Sequence, residues 1–401
     1  MFKPGCLSVF IVMLAMLGCS SSTDETPDNV VPAVSVTASQ TNTTAPTTQT
    51  HKPQSDQKPG DLVSQSPLDL PGIDAIGVRY LSTSVDGELV EVTGMILTPP
   101  QGVGDNPEII SWAHGTTGVA DVCAPSLNVD QVSAAPIALA QGGYVVAVTD
   151  YEGLGTDGTH PYLVGRSEGR SVIDIVRAAQ QLDLGVGSRY AVAGLSQGGH
   201  GALWAGQIAD SYAPELDLVG VVAAAPATNF EKLMETIGTP VQGFAMMSAV
   251  ALDAVYDDVL LEDYFTPQAI EVADVVHQGC TLAVFGAFAS MGRDKMILPG
   301  AWNESQPMGP LGDRLAENEV AQADVSAPVL LIQGSADAVV SSRDVEDVHA
   351  RYCSMDTDAE YRLYEGGSHG NTIMTAMGDV LVWIGDRFGD AAVVDGCVGV
   401  N

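Results

Sequence analysis

The chain has 401 residues, 46% of them hydrophobic, enough for one large α/β domain or two ordinary ones. Against 50 Asp and Glu stand only 16 Lys and Arg, a formal charge of −34 that argues against nucleic acid and anionic membrane surfaces as partners. Lysine is scarce, and such an acidic surface is expected to stay soluble in strong salt, where its self-repulsion is screened.

Residues 1–18 read as a targeting segment, with Lys3 as the positive start and Leu7 to Leu17 as an apolar run too short to span a bilayer. Its end, Ala15-Met16-Leu17-Gly18-Cys19-Ser20, resembles a bacterial lipoprotein signal in which Cys19 is acylated and becomes the mature N-terminus. The expectation is export to the outer membrane or cell surface, with membrane contact through that lipid anchor. Ordinary cleavage and secretion is the alternative. Residues 19–60 are rich in Thr, Ser, Gln and Pro with few large apolar groups, so they are expected to form a disordered tether.

A folded domain is expected over 61–401. Ala75 to Val85 and Glu88 to Thr98 are β-rich runs joined by Asp86-Gly87, a strong hairpin signal. Glu108 to Trp112 reads as a strand leading into His114-Gly115-Thr116-Thr117-Gly118, Ala134 to Gln141 as a helix, and Tyr144 to Thr149 as a buried strand. After a glycine-rich loop, Ser167 is expected to cap a helix whose inward face carries Val172, Ile173, Val176, Ala179 and Leu182. Ala191 to Ala193, the turn Gly194-Leu195-Ser196-Gln197-Gly198 and a helical pattern through Ile208 follow, then a strand at Leu218 to Val222. Strands alternating with helices predict an α/β fold with a mostly parallel sheet flanked by helices.

The rhythm breaks at about 228–312, a helix-like stretch expected to be an inserted cap. Within it Phe244 to Val250 is apolar enough to line a pocket, although such stretches more often form core. The β pattern resumes at Val329 to Ile332, followed by a helix at Arg343 to Arg351, a strand at Glu360 to Tyr364 and a closing amphipathic helix at Ile373 to Phe388.

Strand, sharp turn and helix around G-x-S-x-G is the context in which a serine hydroxyl can stand clear of a sheet edge. Asp337 and His369 each fall on a loop just past a later strand, the same edge as Ser196. Their chain order, Ser196, Asp337, His369, is that of α/β-hydrolase triads. Serine is a poor nucleophile without a base to take its proton, and the imidazole needs a carboxylate to fix its tautomer. Asp344 and Asp347 compete with Asp337, and His349 and His277 with His369, but none of these directly follows a strand. His114, His160 and His200 are expected to make local hydrogen bonds. For the oxyanion, the backbone N–H of Gln197 is one expected donor, with Thr116, then Thr117, as the second.

Gly153 to Gly158 fits G-x-G-x-x-G, but the helix starts too late and Asp174 falls mid-helix rather than after a second strand, so a dinucleotide site is rejected. No cofactor or metal is called for. Cys123, Cys280, Cys353 and Cys397 form an even, widely spaced, exported set, expected to make two disulfides with three possible connectivities.

Several separate motifs, in order, resemble the secretory lipase family, fungal lipase-A-like α/β-hydrolases and their bacterial relatives: GDLVSQSPL, VTGMILTPP, VCAPS, DYEGLG, HPYLVGRSEGRSVIDIVRAA, GLSQGGHGALWAG and SYAPEL. The resemblance covers nearly all of 60–401. It implies an α/β-hydrolase fold with a lid-like cap, the triad Ser196, Asp337 and His369, disulfides Cys123–Cys280 and Cys353–Cys397, and hydrolysis of carboxylic esters. HGTTG departs from the fungal pattern, which tends to carry an acidic residue there. A monomer acting on a small-molecule or lipid ester is expected. Acyl transfer by the same triad and a catalytically silent surface-binding lipoprotein are the alternatives.

Overall fold

The computed structural model describes residues 56–301, 308–394 and 396–398; the expected targeting segment, Cys19 and the expected tether up to residue 55 lie outside them, whereas Gly60, at the end of that expected tether, is buried and donates its N–H to Leu81 O. Among the described residues, nine strands form one sheet: β1 (Leu62–Leu70), β2 (Ile73–Thr83), β3 (Leu89–Thr98), β4 (Ile109–Ala113), β5 (Val145–Thr149), β6 (Arg189–Leu195), β7 (Asp217–Ala224), β8 (Val329–Gly334) and β9 (Ala359–Tyr364). Their order is β1-β2-β3-β5-β4-β6-β7-β8-β9. The first three run antiparallel and β3 pairs antiparallel with β5, whereas every pair from β5 to β9 is parallel. Asp86-Gly87 closes the β2–β3 hairpin with Gly87 at φ 88°, a conformation that costs glycine little.

Alternation along the parallel strands sorts side chains to two faces. Val145, Ala147, Val192, Val221 and Leu331 pack with helices α2 (Gly165–Ala179), α3 (Gln197–Tyr212) and α10 (Ser342–Ser354). Val146, Val148, Ala193, Val222 and Ile332 pack with α1 (Ala134–Gln141) and α11 (Thr372–Phe388), the latter through Ile373, Val380, Trp383 and Ile384. Near-continuous apolar strands are what a sheet covered on both faces requires.

One strand was not anticipated and one sequence expectation changes. β1 escapes apolar periodicity because it is an edge strand with mostly exposed side chains and a proline, Pro67. Helix α2 starts at Gly165, not after a Ser167 cap: Val164 occupies the cap position, and Ser167 lies inside, donating its hydroxyl to Glu152 Oε2 at 2.5 Å. A glutamate acceptor brought from the preceding loop thus removes the serine from its local capping role.

Between β7 and β8 come α4 (Phe230–Glu235), α5 (Gly243–Val255), α6 (Pro267–Ala273), α7 (Thr281–Phe288), α8 (Arg293–Met296) and α9 (Gly309–Glu317). These helices bury a core of their own around Met246, Met247, Phe265, Phe288, Met296 and Leu311. Disulfides join Cys123 to Cys280 and Cys353 to Cys397. The first ties the chain beyond β4 to the start of α7, and the second ties the end of α10 to the C-terminal segment.

Candidate active site

Ser196 sits between β6 and α3 with φ 60° and ψ −118°, a conformation that side-chain-bearing residues avoid. The turn is tight enough that Cβ atoms could not be fitted on its flanking glycines. One on Gly194 would land on the Gly198 carbonyl, and one on Gly198 on the Ala113 carbonyl. Glycine two before and two after the serine is therefore a steric requirement of the hydroxyl's placement.

Asp337 follows β8 and His369 follows β9, and the two loops are stitched together. Ala336 N donates to Gly367 O at 2.9 Å, and Gly366 N to Ser335 Oγ at 2.9 Å. A Cβ on Gly334 would meet the Gly367 carbonyl, so the loops approach to backbone contact. The three sequence-selected side chains converge. His369 Nε2 lies 2.9 Å from Ser196 Oγ, and His369 Nδ1 lies 2.8 Å from Asp337 Oδ2. Asp337 Oδ1 accepts from Val339 N and Val340 N at 2.8 and 2.9 Å. Its side chain is withdrawn from solvent, while that of His369 is 19% exposed. Burial works against a charge on Asp337, but His369 and the two loop N–H groups outweigh it and hold the carboxyl below its usual range. An ionised Asp337 must accept, so Nδ1 of His369 carries the proton and Nε2 is left to accept from the serine hydroxyl.

Two of the competing residues are engaged elsewhere. Asp344 binds Lys232 and Asn229 of the helical insertion, and His349 Nε2 donates to Ala359 O. His114 bonds the Gly115 and Asp150 carbonyls, and His160 Nδ1 donates to Glu152 O, so both are structural as expected. Burial pushes the His160 pKa down to about 4, leaving a neutral ring. His200 lies buried against Glu168 at 2.6 Å. The Gly153 to Gly158 loop is shaped by packing: a Cβ on Gly153 would strike the His160 backbone, and one on Gly155 would crowd Thr93 and Leu127.

Gln197 opens α3, so its backbone N–H belongs to the first turn, whose donors have no partner within the helix. Gly115 backs onto Leu195 O and Ser196 Cβ, bringing the β4 loop beside Ser196. Thr116 and Thr117 are partly exposed there. Thr116 Oγ1 pairs with Tyr162 OH at 2.9 Å, and Thr281 N donates to Thr117 O at 2.9 Å. Tyr151 OH also braces this loop, donating to His114 O at 2.8 Å. Sequence reasoning missed both tyrosines, since a bracing hydroxyl has no local pattern.

Two cavities meet at Ser196. One of about 290 Å³ reaches into the insertion past Phe230, Leu233, Val241 and Phe244 and carries Asp337 on its wall. The other, about 310 Å³, runs past Trp112, Thr116, Thr117 and Pro136 and carries His369. Phe244 borders both, whereas Ala245 to Val250 are core.

A strained serine between strand and helix, an imidazole and a carboxylate on one sheet edge, and helices on both faces define an α/β-hydrolase. A family model described as secretory lipase matches residues 120–396. A secreted triacylglycerol lipase of Malassezia globosa is 28% identical over 361 residues, covering 80% of this chain and 76% of that protein. Among solved structures, lipase A of Candida antarctica in its closed state superposes with a TM-score of 0.73 at 21% identity, covering 86% of this chain and 85% of that one. The rice cell wall degrading esterase LipA of Xanthomonas oryzae superposes with a TM-score of 0.71 at 21% identity, covering 83% of this chain and 99% of that one. The chain belongs to the secretory lipase family. Its reaction class is serine-hydrolase cleavage of carboxylic esters, and it is exported.

Proposed function

We propose that Ser196 is the nucleophile, His369 the general base and acid, and Asp337 the orienting carboxylate of a lipid-ester hydrolase. The observation that carries this is the unbroken chain of hydrogen bonds from Ser196 Oγ through His369 to Asp337. Ser196 Oγ attacks the ester carbonyl as its proton passes to His369 Nε2. The resulting oxyanion faces the N–H groups of Gln197 and Thr116, with Thr117 as the alternative second donor, each such donor worth about 3 kcal/mol of barrier. Collapse breaks the bond to the alkoxide, which takes the proton from His369 and leaves. Water, deprotonated by the same nitrogen, then releases the acid from Ser196.

The leaving alcohol must lie where His369 can protonate it, so it belongs in the cavity that His369 lines. The acyl chain then takes the cavity beneath Phe230 and Phe244. Apolar walls there suit a fatty acyl group, and the similarity to a secreted triacylglycerol lipase supports an acylglycerol substrate. Membrane attachment through acylated Cys19, and action as a monomer, complete the proposal.

Nitrophenyl esters of graded chain length test it. The wild type should turn them over with an optimum chain length, while Ser196→Ala should lose at least about a thousandfold in kcat and its labelling by a fluorophosphonate. Equal labelling of both proteins would reject Ser196 as nucleophile. Radiolabelled fatty acid incorporated in a bacterial host, lost in Cys19→Ala, tests the anchor.

A further inference from the structure

Helices α2 and α3 pack side by side behind the nucleophile, and their contact holds an ion pair with both side chains at 0% exposure, Glu168 and His200. Burying charge this completely is costly unless every donor and acceptor is matched. Here they are. Glu168 Oε2 accepts from His200 Nδ1 at 2.6 Å, while Oε1 accepts from Leu163 N at 3.0 Å and from the Gln197 side-chain Nε2 at 2.9 Å. His200 Nε2 donates to the Asn318 carbonyl at 2.7 Å. With a carboxylate at one nitrogen and a carbonyl at the other, the ring donates from both. Gly201 leaves room for the close packing, since a Cβ there would press on Glu168.

The partners at the two ends give the pair its significance. Asn318 closes α9, the last helix of the insertion. Its side chain accepts from Gly165 N and donates to Tyr256 OH, while its carbonyl also takes the Trp204 indole N–H. Gln197, at the other end, is the residue after the nucleophile. Its amide nitrogen also donates to His160 Nε2, a neutral acceptor because Nδ1 of that ring donates to Glu152 O. Two acceptors therefore clamp the side chain whose backbone N–H opens α3 beside Ser196.

We propose that Glu168 and His200 are positioning residues for the oxyanion hole, linking the seat of the helical insertion at Asn318 to the backbone N–H of Gln197. The pair touches no substrate; it acts by fixing where that N–H points, an inference that rests on Gln197 being an oxyanion donor as proposed above. Leu163, which lines the acyl-side cavity, is held by the same carboxylate, so the seating of the insertion and the donor geometry share one anchor.

The test compares a nitrophenyl ester with its thionoester. A thionoester develops its charge on sulfur, a larger and weaker acceptor that draws little from a hole shaped for oxygen. In Glu168→Gln, kcat for the ester should fall about tenfold or more, KM should stay within about twofold, and the ester-to-thionoester rate ratio should shrink, since a misplaced donor acts in the transition state. Gln197→Ala keeps the backbone N–H and the ion pair but frees the clamp. It should shrink the ratio in the same way, and it decides the question if Glu168→Gln does not fold. Parallel loss on ester and thionoester, with the wild-type ratio kept in the folded variants, would overturn the inference and leave a purely structural pair. A wild type without ester turnover would overturn both this and the functional proposal, whereas wild-type turnover with unchanged ratios in the variants overturns this inference alone.

Discussion

At Ser196, backbone strain and side-chain chemistry coincide: a residue held at φ 60° gains from that strain a hydroxyl presented to His369 at 2.9 Å. This much is local, and so it is legible in the chain, because the two glycines and the flanking strand and helix lie within a few residues of one another. Glu168 and His200 were not legible as a pair. They stand 32 residues apart on different helices, and a glutamate within an apolar helical face carries no signal of its partner. A half-buried acid, Glu152, makes a stability prediction. Burial raises the Glu152 pKa to about 7, against the opposing pull of the Ser167 hydroxyl and Arg170. An acid whose folded pKa is raised contributes stability that is whole below its unfolded pKa and lost as pH rises through the folded value. Wild-type stability from this group should thus decline between about pH 4.5 and 7. Glu152→Gln should match the wild type in Tm at about pH 4 and exceed it at about pH 8, measured by thermal unfolding across that range. A wild-type advantage that grows with pH would contradict the assignment.

Among elements, the most regular ones were visible in the chain. The helix expected at Ala134 to Gln141 has those bounds, and the strands that precede Asp337 and His369 lie where apolar runs end in polar loops. β1 was invisible because an exposed edge strand needs no apolar stripe, and the start of α2 was displaced because Glu152 claims Ser167. The disulfide Cys123–Cys280 adds a tie that secondary structure cannot supply. It closes a separation of 157 residues, and beside it Thr281 bonds the Thr116 and Thr117 carbonyls of the β4 loop. Chain entropy over a loop of that length corresponds to about 5 kcal/mol, of which removal of a native bridge typically realises about 2–5. The double variant Cys123→Ala, Cys280→Ala should therefore unfold at markedly lower denaturant and lose ester turnover before it loses far-UV helicity. Loss of both in one step would show that the bridge holds the whole domain rather than this loop.

Over the whole molecule, charge is the dominant long-range feature. With −34 spread over the chain and few basic groups to answer it, like charges repel across the surface. The screening length shrinks from about 10 Å at 0.1 M salt to about 3 Å at 1 M. Thermal unfolding should accordingly shift upward as sodium chloride is raised through that interval, and a Tm that falls would place the main electrostatic term elsewhere. The chain by itself determined the α/β class, the order of Ser196, Asp337 and His369 and their place past strand ends, since apolar periodicity, glycine sterics and loop position are written in short stretches. Only the tertiary structure decided the rest. How two cavities divide at Ser196, and how Asn318, His200 and Glu168 reach Gln197, depend on distances between segments far apart in the chain. Those distances are set when the sheet twists, the helices close over its faces and the insertion settles against α3, and no single segment encodes them.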